Sequence, residues 1–85
     1  MAKKTKKILI VDDELDFNIL FKTLLKENNF KVDWYIDPQL AIHHFKPNFY
    51  DLLVLDIKMP NMNGFELHYK IQKIDDMIKV CYISA

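Results

Sequence analysis

Eighty-five residues suffice for one small domain, and a balance of 51% apolar to 28% charged residues reads as a soluble globular chain, excluding a disordered or membrane-embedded one. Twelve lysines offset twelve acids and there is no arginine, so the chain lacks both the net field and the planar fork that read phosphate backbones and guanine. The single glycine, Gly64, rules out glycine-rich loops that cradle nucleotide phosphates. The single cysteine, Cys81, rules out an internal disulfide or a cysteine-built zinc site.

In chain order, residues 1–7 form a basic lead-in, read as solvated. The apolar run behind it, Ile8 to Val11, is too short for a signal peptide and meets Asp12-Asp13-Glu14, so the expected location is the cytoplasm. No apolar run approaches the ~20 residues of a membrane span. Ile8-Leu9-Ile10-Val11 is apolar on both faces, as in a buried parallel strand. Phe17, Leu20, Phe21, Leu24 and Leu25 then fall on one face of a helix, opened by Asp13 or Glu14 and ended by Asn28-Asn29.

Phe30 to Ile36 alternates, with Val32, Trp34 and Ile36 against Lys31, Asp33 and Tyr35, and predicts an edge strand. Asp37-Pro38 starts a second helix as cap and first residue, with Leu40, Ala41, His44 and Phe45 as its apolar side. Leu52 to Leu55 is a central strand, Pro60 to Gly64 a loop beneath which Met59 and Met62 pack, and Phe65 to Lys73 a third amphipathic helix. Ile78 to Ile83 is the fourth strand, in which Cys81 is expected as a small buried hydrophobe. Gly64 is expected to serve a tight turn, and His43, His44 and His68 are too scattered for a metal site. Strands alternating with helices imply a doubly wound parallel α/β sheet, whose function sits at the carboxyl ends of the strands where the winding reverses.

Asp12 and Asp13 follow the first strand and Asp56 the third. If those strands are neighbours, three carboxylates converge, repel one another, and suit a hard divalent cation such as Mg²⁺. Single acids at strand ends are commonly turn residues, but a doublet and a singlet, each ending an apolar strand, favour a site.

Three stretches, Ile8 to Glu14, Asp56-Ile57-Lys58-Met59-Pro60-Asn61-Met62-Asn63-Gly64-Phe65-Glu66, and Val80 to Ala85, resemble the receiver domain of two-component response regulators. The resemblance runs over the whole chain. It implies a flavodoxin-like (receiver) fold, here truncated to four strands in the order 2-1-3-4 and three helices. Residues 8–85 would form an incomplete receiver domain lacking the equivalent of helix 4, strand 5 and helix 5. The resemblance further implies that Asp56 is the phosphoacceptor, and that Asp12, Asp13, Asp56 and the backbone carbonyl of Lys58 hold Mg²⁺. Ser84 would be the hydroxyl that bonds the phosphoryl group, and Ala85 the small residue that leaves access. The implied donor is a sensor histidine kinase or phosphotransfer protein, with no nucleic acid or membrane engaged.

The family's lysine at the end of strand five has no counterpart within these residues, which predicts impaired phosphotransfer and switching. Lys46-Pro47 copies the dipeptide but precedes strand three, about 15–20 Å from Asp56 at about 3.3 Å per strand residue. Lys79 to Ile83 would be an uncovered edge, so the chain is expected to form homo-oligomers through it. The rival reading is a phosphorylation-independent interaction and dimerisation module. A phosphatase with an aspartyl intermediate ranks below both, because the second Asp such enzymes commonly place two residues after the nucleophile is Lys58 here.

Overall fold

The computed structural model describes residues 5–84. Its elements run β1 (Lys7–Val11), α1 (Leu15–Glu27), β2 (Lys31–Tyr35), α2 (Pro38–His44), β3 (Leu52–Asp56), α3 (Gly64–Gln72) and β4 (Lys79–Ile83). The four strands form one sheet in the order β2-β1-β3-β4, all neighbours parallel. The winding goes outward from β1 to β2 on one side and through β3 to β4 on the other, so the reversal point lies between β1 and β3.

Strand alternation divides the core between the two faces of the sheet. Leu9, Val11, Leu53 and Leu55 point to one face, where Ala41 and Phe45 from the α2 segment and Leu67 and Ile71 of α3 cover them. Ile8, Ile10 and Val54 point to the other, against Phe21 and Leu25 of α1 and the half-buried Val32, Trp34 and Ile83. Two helices therefore cover one face, and one helix covers the other.

The helix ends are set by local chemistry. Asp37 accepts the Gln39 N–H at 2.9 Å, with Pro38 at the first helical position. Asn63 accepts the Glu66 N–H at 2.9 Å while the Glu66 carboxylate takes the Asn63 N–H at 3.3 Å, a reciprocal capping box. At the end of α1, Asn29 adopts φ 68, its N–H reaches the Lys26 carbonyl, and the Phe30 N–H reaches the Leu25 carbonyl. This is a Schellman turn with Asn at the left-handed position.

Three expectations need correction. In α1, Leu20 is 61% exposed and Leu24 48% exposed, and the buried residue of that helix is Asn18. The helix buries only the side it lays on the sheet, and among the described residues no second helix lies beside it to cover the rest. Leu40 in α2 is exposed for the same kind of reason, pointing away from the sheet while Ala41 points in. Cys81 is exposed: it shares a face with Val54, and among the described residues the helix on that face, α1, packs over β1 and β2 and leaves β4 at the edge uncovered. Gly64 opens α3 as expected, and its lack of a side chain lets the chain pass close to the Asp56 backbone, as described below.

Candidate functional site

Val11 of β1 pairs with Leu55 of β3, so Asp12 and Asp56, the next residues of two adjacent parallel strands, emerge side by side at the reversal point. Asp13 follows directly. One carboxylate oxygen from each of Asp12, Asp13 and Asp56 lies within 4.8 Å of the others. Asp12 is buried, Asp13 exposed, and Asp56 is 9% exposed.

Each acid is held by backbone. The Asp12 N–H donates to the Tyr35 carbonyl at 3.1 Å, carrying the β1–β2 ladder one residue beyond the strand. Asp12 Oδ1 accepts the Glu14 N–H at 2.9 Å, which turns the chain into α1. Asp56 Oδ1 accepts the Lys58 N–H at 3.2 Å. The Ile57 N–H donates to the Ile83 carbonyl at 3.0 Å, extending the β3–β4 ladder and drawing Ser84 to the same end of the sheet. Asp12, Glu14, Phe17, Asp56, Ile83 and Ser84 line one open cleft of about 190 Å³.

The loop after β3 is pinned from below. Met59 and Met62 are buried against the α2–α3 face, as expected, and Asn61 between them takes φ 70. Gly64 begins α3 directly behind Asp56: its N–H donates to the Ile57 carbonyl at 2.9 Å, and a Cβ there would stand 2.4 Å from the Asp56 carbonyl oxygen. The Lys58 side chain is exposed.

Burial raises the Asp56 carboxyl first, and the Asp12 charge adds to it, with Asp13 contributing less; together they push it up to about 6 despite the Lys58 N–H, which acts in the opposite direction. Clustered carboxylates of this kind, all hard oxygen donors, match the preference of a divalent cation such as Mg²⁺.

Asp12, Asp13, Asp56 and Ser84 are thus brought together at one end of the sheet. Lys58 joins them through its N–H on Asp56. Ala85 lies outside the described residues, as do residues 1–4 of the lead-in. Lys46 sits elsewhere, its Nζ 4.8 Å from the centre of the Phe49 ring. The histidines are not part of the cluster: His44 stacks on Tyr35, and His68 hydrogen-bonds the Tyr82 hydroxyl. Sequence reasoning passed over Asn18, whose Nδ2 donates to the Asp12 carbonyl at 2.7 Å. Its signal was an amide in the inward stripe of α1, three and seven residues before Phe21 and Leu25.

Residues 8–85 match the family model of the response regulator receiver domain, and the chain belongs to that family, whose members are regulatory modules. Sensor protein EvgS of Escherichia coli (strain K12) is 36% identical over 78 residues, which cover 92% of this chain and 6% of that protein. Regulatory protein VanRc of Enterococcus gallinarum is 36% identical over 69 residues, 81% of this chain and 30% of that one. The chain therefore spans a minor part of the curated relatives it matches. Among solved structures, the non-phosphorylated HemR receiver domain from Leptospira biflexa superposes with a TM-score of 0.89 at 30% identity, over 95% of this chain and 65% of that one. A chain in the crystal structure of histidine kinase ThkA in complex with response regulator protein TrrA superposes with a TM-score of 0.85 at 34% identity, covering 95% of this chain and 70% of that one. Among the described residues no helix is long and apolar enough to cross a membrane.

Proposed function

We propose that residues 8–85 act as the phosphoacceptor unit of a two-component relay, with residues 1–7 leading into it, and that Asp56 takes a phosphoryl group from the phosphohistidine of a sensor kinase or phosphotransfer protein. The observation that carries this reading is the convergence of the Asp12, Asp13 and Asp56 carboxylates within 4.8 Å, at a cleft that Ser84 also lines. The fit to a divalent cation rests on the donor set: three carboxylates that each turn an oxygen to one point, the Asp56 carboxyl raised by its burial and by the Asp12 charge, a cost that a bound cation would relieve. Asp12, Asp13, Asp56 and the Lys58 carbonyl would hold Mg²⁺. When bound, the ion supplies the positive charge that lets carboxylate and phosphoryl oxygens approach.

The chain's own residues do the rest. An Asp56 carboxylate oxygen attacks phosphorus, the P–N bond of the phosphohistidine breaks, and the imidazole nitrogen leaves with the electron pair. The product is an acyl phosphate. The Lys58 N–H on Oδ1 fixes the rotation of the carboxylate before attack. The buried run of β3 behind Asp56 holds the nucleophile still. A phosphoryl group adds about one to two negative charges at this spot, and the Ser84 hydroxyl, one residue past β4, is the donor that turns to meet it. Release of the phosphate needs only water at the open cleft, so the unit is a regulated acceptor with self-catalysed transfer at most.

Incubation with acetyl phosphate and Mg²⁺, followed by intact mass, tests the reading. One phosphoryl adduct is expected on the wild-type chain and none on Asp56→Asn. An equal adduct on both, or none on either, overturns it, and the second result favours an interaction module.

A further inference from the structure

We propose that Asn18 is the positioning residue of the acidic loop: through its side-chain amide it sets how Asp12 and Asp13 present their carboxylates to a cation. The proposal rests on the phosphoacceptor reading above and deepens it. Asn18 is fully buried in the first turns of α1, on the stripe that faces the sheet. Its Nδ2 donates to the Asp12 carbonyl at 2.7 Å, while its Oδ1 is buried with no hydrogen-bond partner.

That half-met amide is the informative feature. An unmet acceptor in a core is destabilising, and an apolar side chain of similar volume would fill the same space without it. Phe21 and Leu25, one and two turns further along the same stripe, show that the stripe otherwise takes apolar groups. What Asn18 adds over a leucine is the donor on Asp12. Asp12 is then fixed at three points: its N–H on Tyr35, its Oδ1 by the Glu14 N–H, and its carbonyl by Asn18. The last of these alone comes from a side chain. It fixes the peptide plane between Asp12 and Asp13, and with it the direction in which the exposed Asp13 leaves the chain. Without it, the loop is tied to α1 only by the turn itself, where Glu14, at the N-cap position, makes no side-chain cap.

The test uses the full chain with Mg²⁺ as probe, in wild type, Asn18→Leu (same bulk, no donor) and Asn18→Ala (room for water). Two quantities are read: the Mg²⁺ Kd of the folded protein, and amide hydrogen exchange at Glu14 compared with Leu9 and Ile10. About tenfold weaker Mg²⁺ binding is expected in both variants. Glu14 exchange should be faster while the β1 amides keep their wild-type protection relative to global stability. Wild-type binding with unchanged variant Kd overturns the role of Asn18 and leaves the phosphoacceptor reading standing. A uniform rise in exchange at all amides assigns Asn18 to packing alone and overturns it too. Absence of Mg²⁺ binding by the wild type brings down the phosphoacceptor reading and the inference together. Should Asn18→Leu fail to fold, Asn18→Ala decides through the same two readouts.

Discussion

The carbonyl oxygen of Asp56 and the α-carbon of Gly64 are packed so closely that a methyl group at position 64 would stand 2.4 Å from that oxygen and 3.2 Å from the Ile57 α-carbon. Both obstacles are backbone, so neither can swing aside. Helix α3 thus begins in direct contact with the residue proposed to carry the phosphoryl group.

Gly64→Ala should therefore cost about 2–3 kcal/mol, in the range for overpacking a tight site, and lower Tm by roughly 10 °C or more for a domain of this size. Thermal unfolding checks the stability. Acetyl phosphate labelling of the remaining folded protein should fall as well, since the strain is relieved by moving Asp56.

The Asp56 carboxyl stands at about 6, above its ordinary 3.8. A raised carboxyl favours the folded state while protonated, so its contribution is complete below pH 3.8 and is lost as pH rises through about 6. Ion-free protein at neutral pH accordingly carries a penalty, and Asp56→Asn should stabilise it. The gain is about 1 kcal/mol once solvent screening at the open cleft is allowed for. Denaturant unfolding at pH 4 and pH 7 checks the sign: the variant's advantage should exist at pH 7 and vanish at pH 4.

Mg²⁺ should stabilise the wild-type chain by about 2.7 kcal/mol at a hundredfold excess over Kd. The effect should disappear in Asp13→Asn and in Asp12→Asn, each of which removes a negative donor from the cluster. Unfolding curves with and without the ion measure it directly.

Asn63→Ala removes one half of the α3 capping box and should cost about 1 kcal/mol. Its side chain lies outside the acidic cluster, so the Mg²⁺ affinity of the folded protein should stay as in wild type. A parallel loss of affinity would mean that the start of α3, not only Gly64, controls the site.

Among the described residues β4 has a strand neighbour on one side only, and Cys81 in it is exposed. The 85-residue chain should self-associate along that edge, with sedimentation showing a concentration-dependent dimer. Cys81→Lys should shift it towards monomer; a monomer at all concentrations contradicts the expectation.

Much of this was legible because local and global signals agree. The doubly apolar runs at Ile8 to Val11 and Leu52 to Leu55 can only be central strands, and their parity sends Leu9 and Val11 one way and Ile8 and Ile10 the other. Asp37-Pro38 announces a helix through backbone geometry that no tertiary contact overrides. The acidic doublet and Asp56 are readable because each directly ends such a run. What stayed hidden depends on neighbours distant in sequence. Leu20 and Leu24 continue an apolar helical face, yet burial requires a second surface that periodicity does not reveal. Gly64 looks like a turn residue until the Asp56 carbonyl is seen behind it. Asn18 reads as one more polar helix residue until the Asp12 carbonyl is found on its amide.

The pairing of Val11 with Leu55 has a consequence for how such chains can change length. Strand residues alternate sides, so inserting or deleting one residue within Leu52 to Leu55 would turn Asp56 under the sheet and dismantle the cluster without altering any of its members. Growth and shrinkage are thereby confined to the connections between elements. The spans from Val11 back to Lys7 and from Asp56 back to Leu52 behave as measured rulers, and descendants of this sequence can vary everywhere more freely than in the count of residues along those two lines.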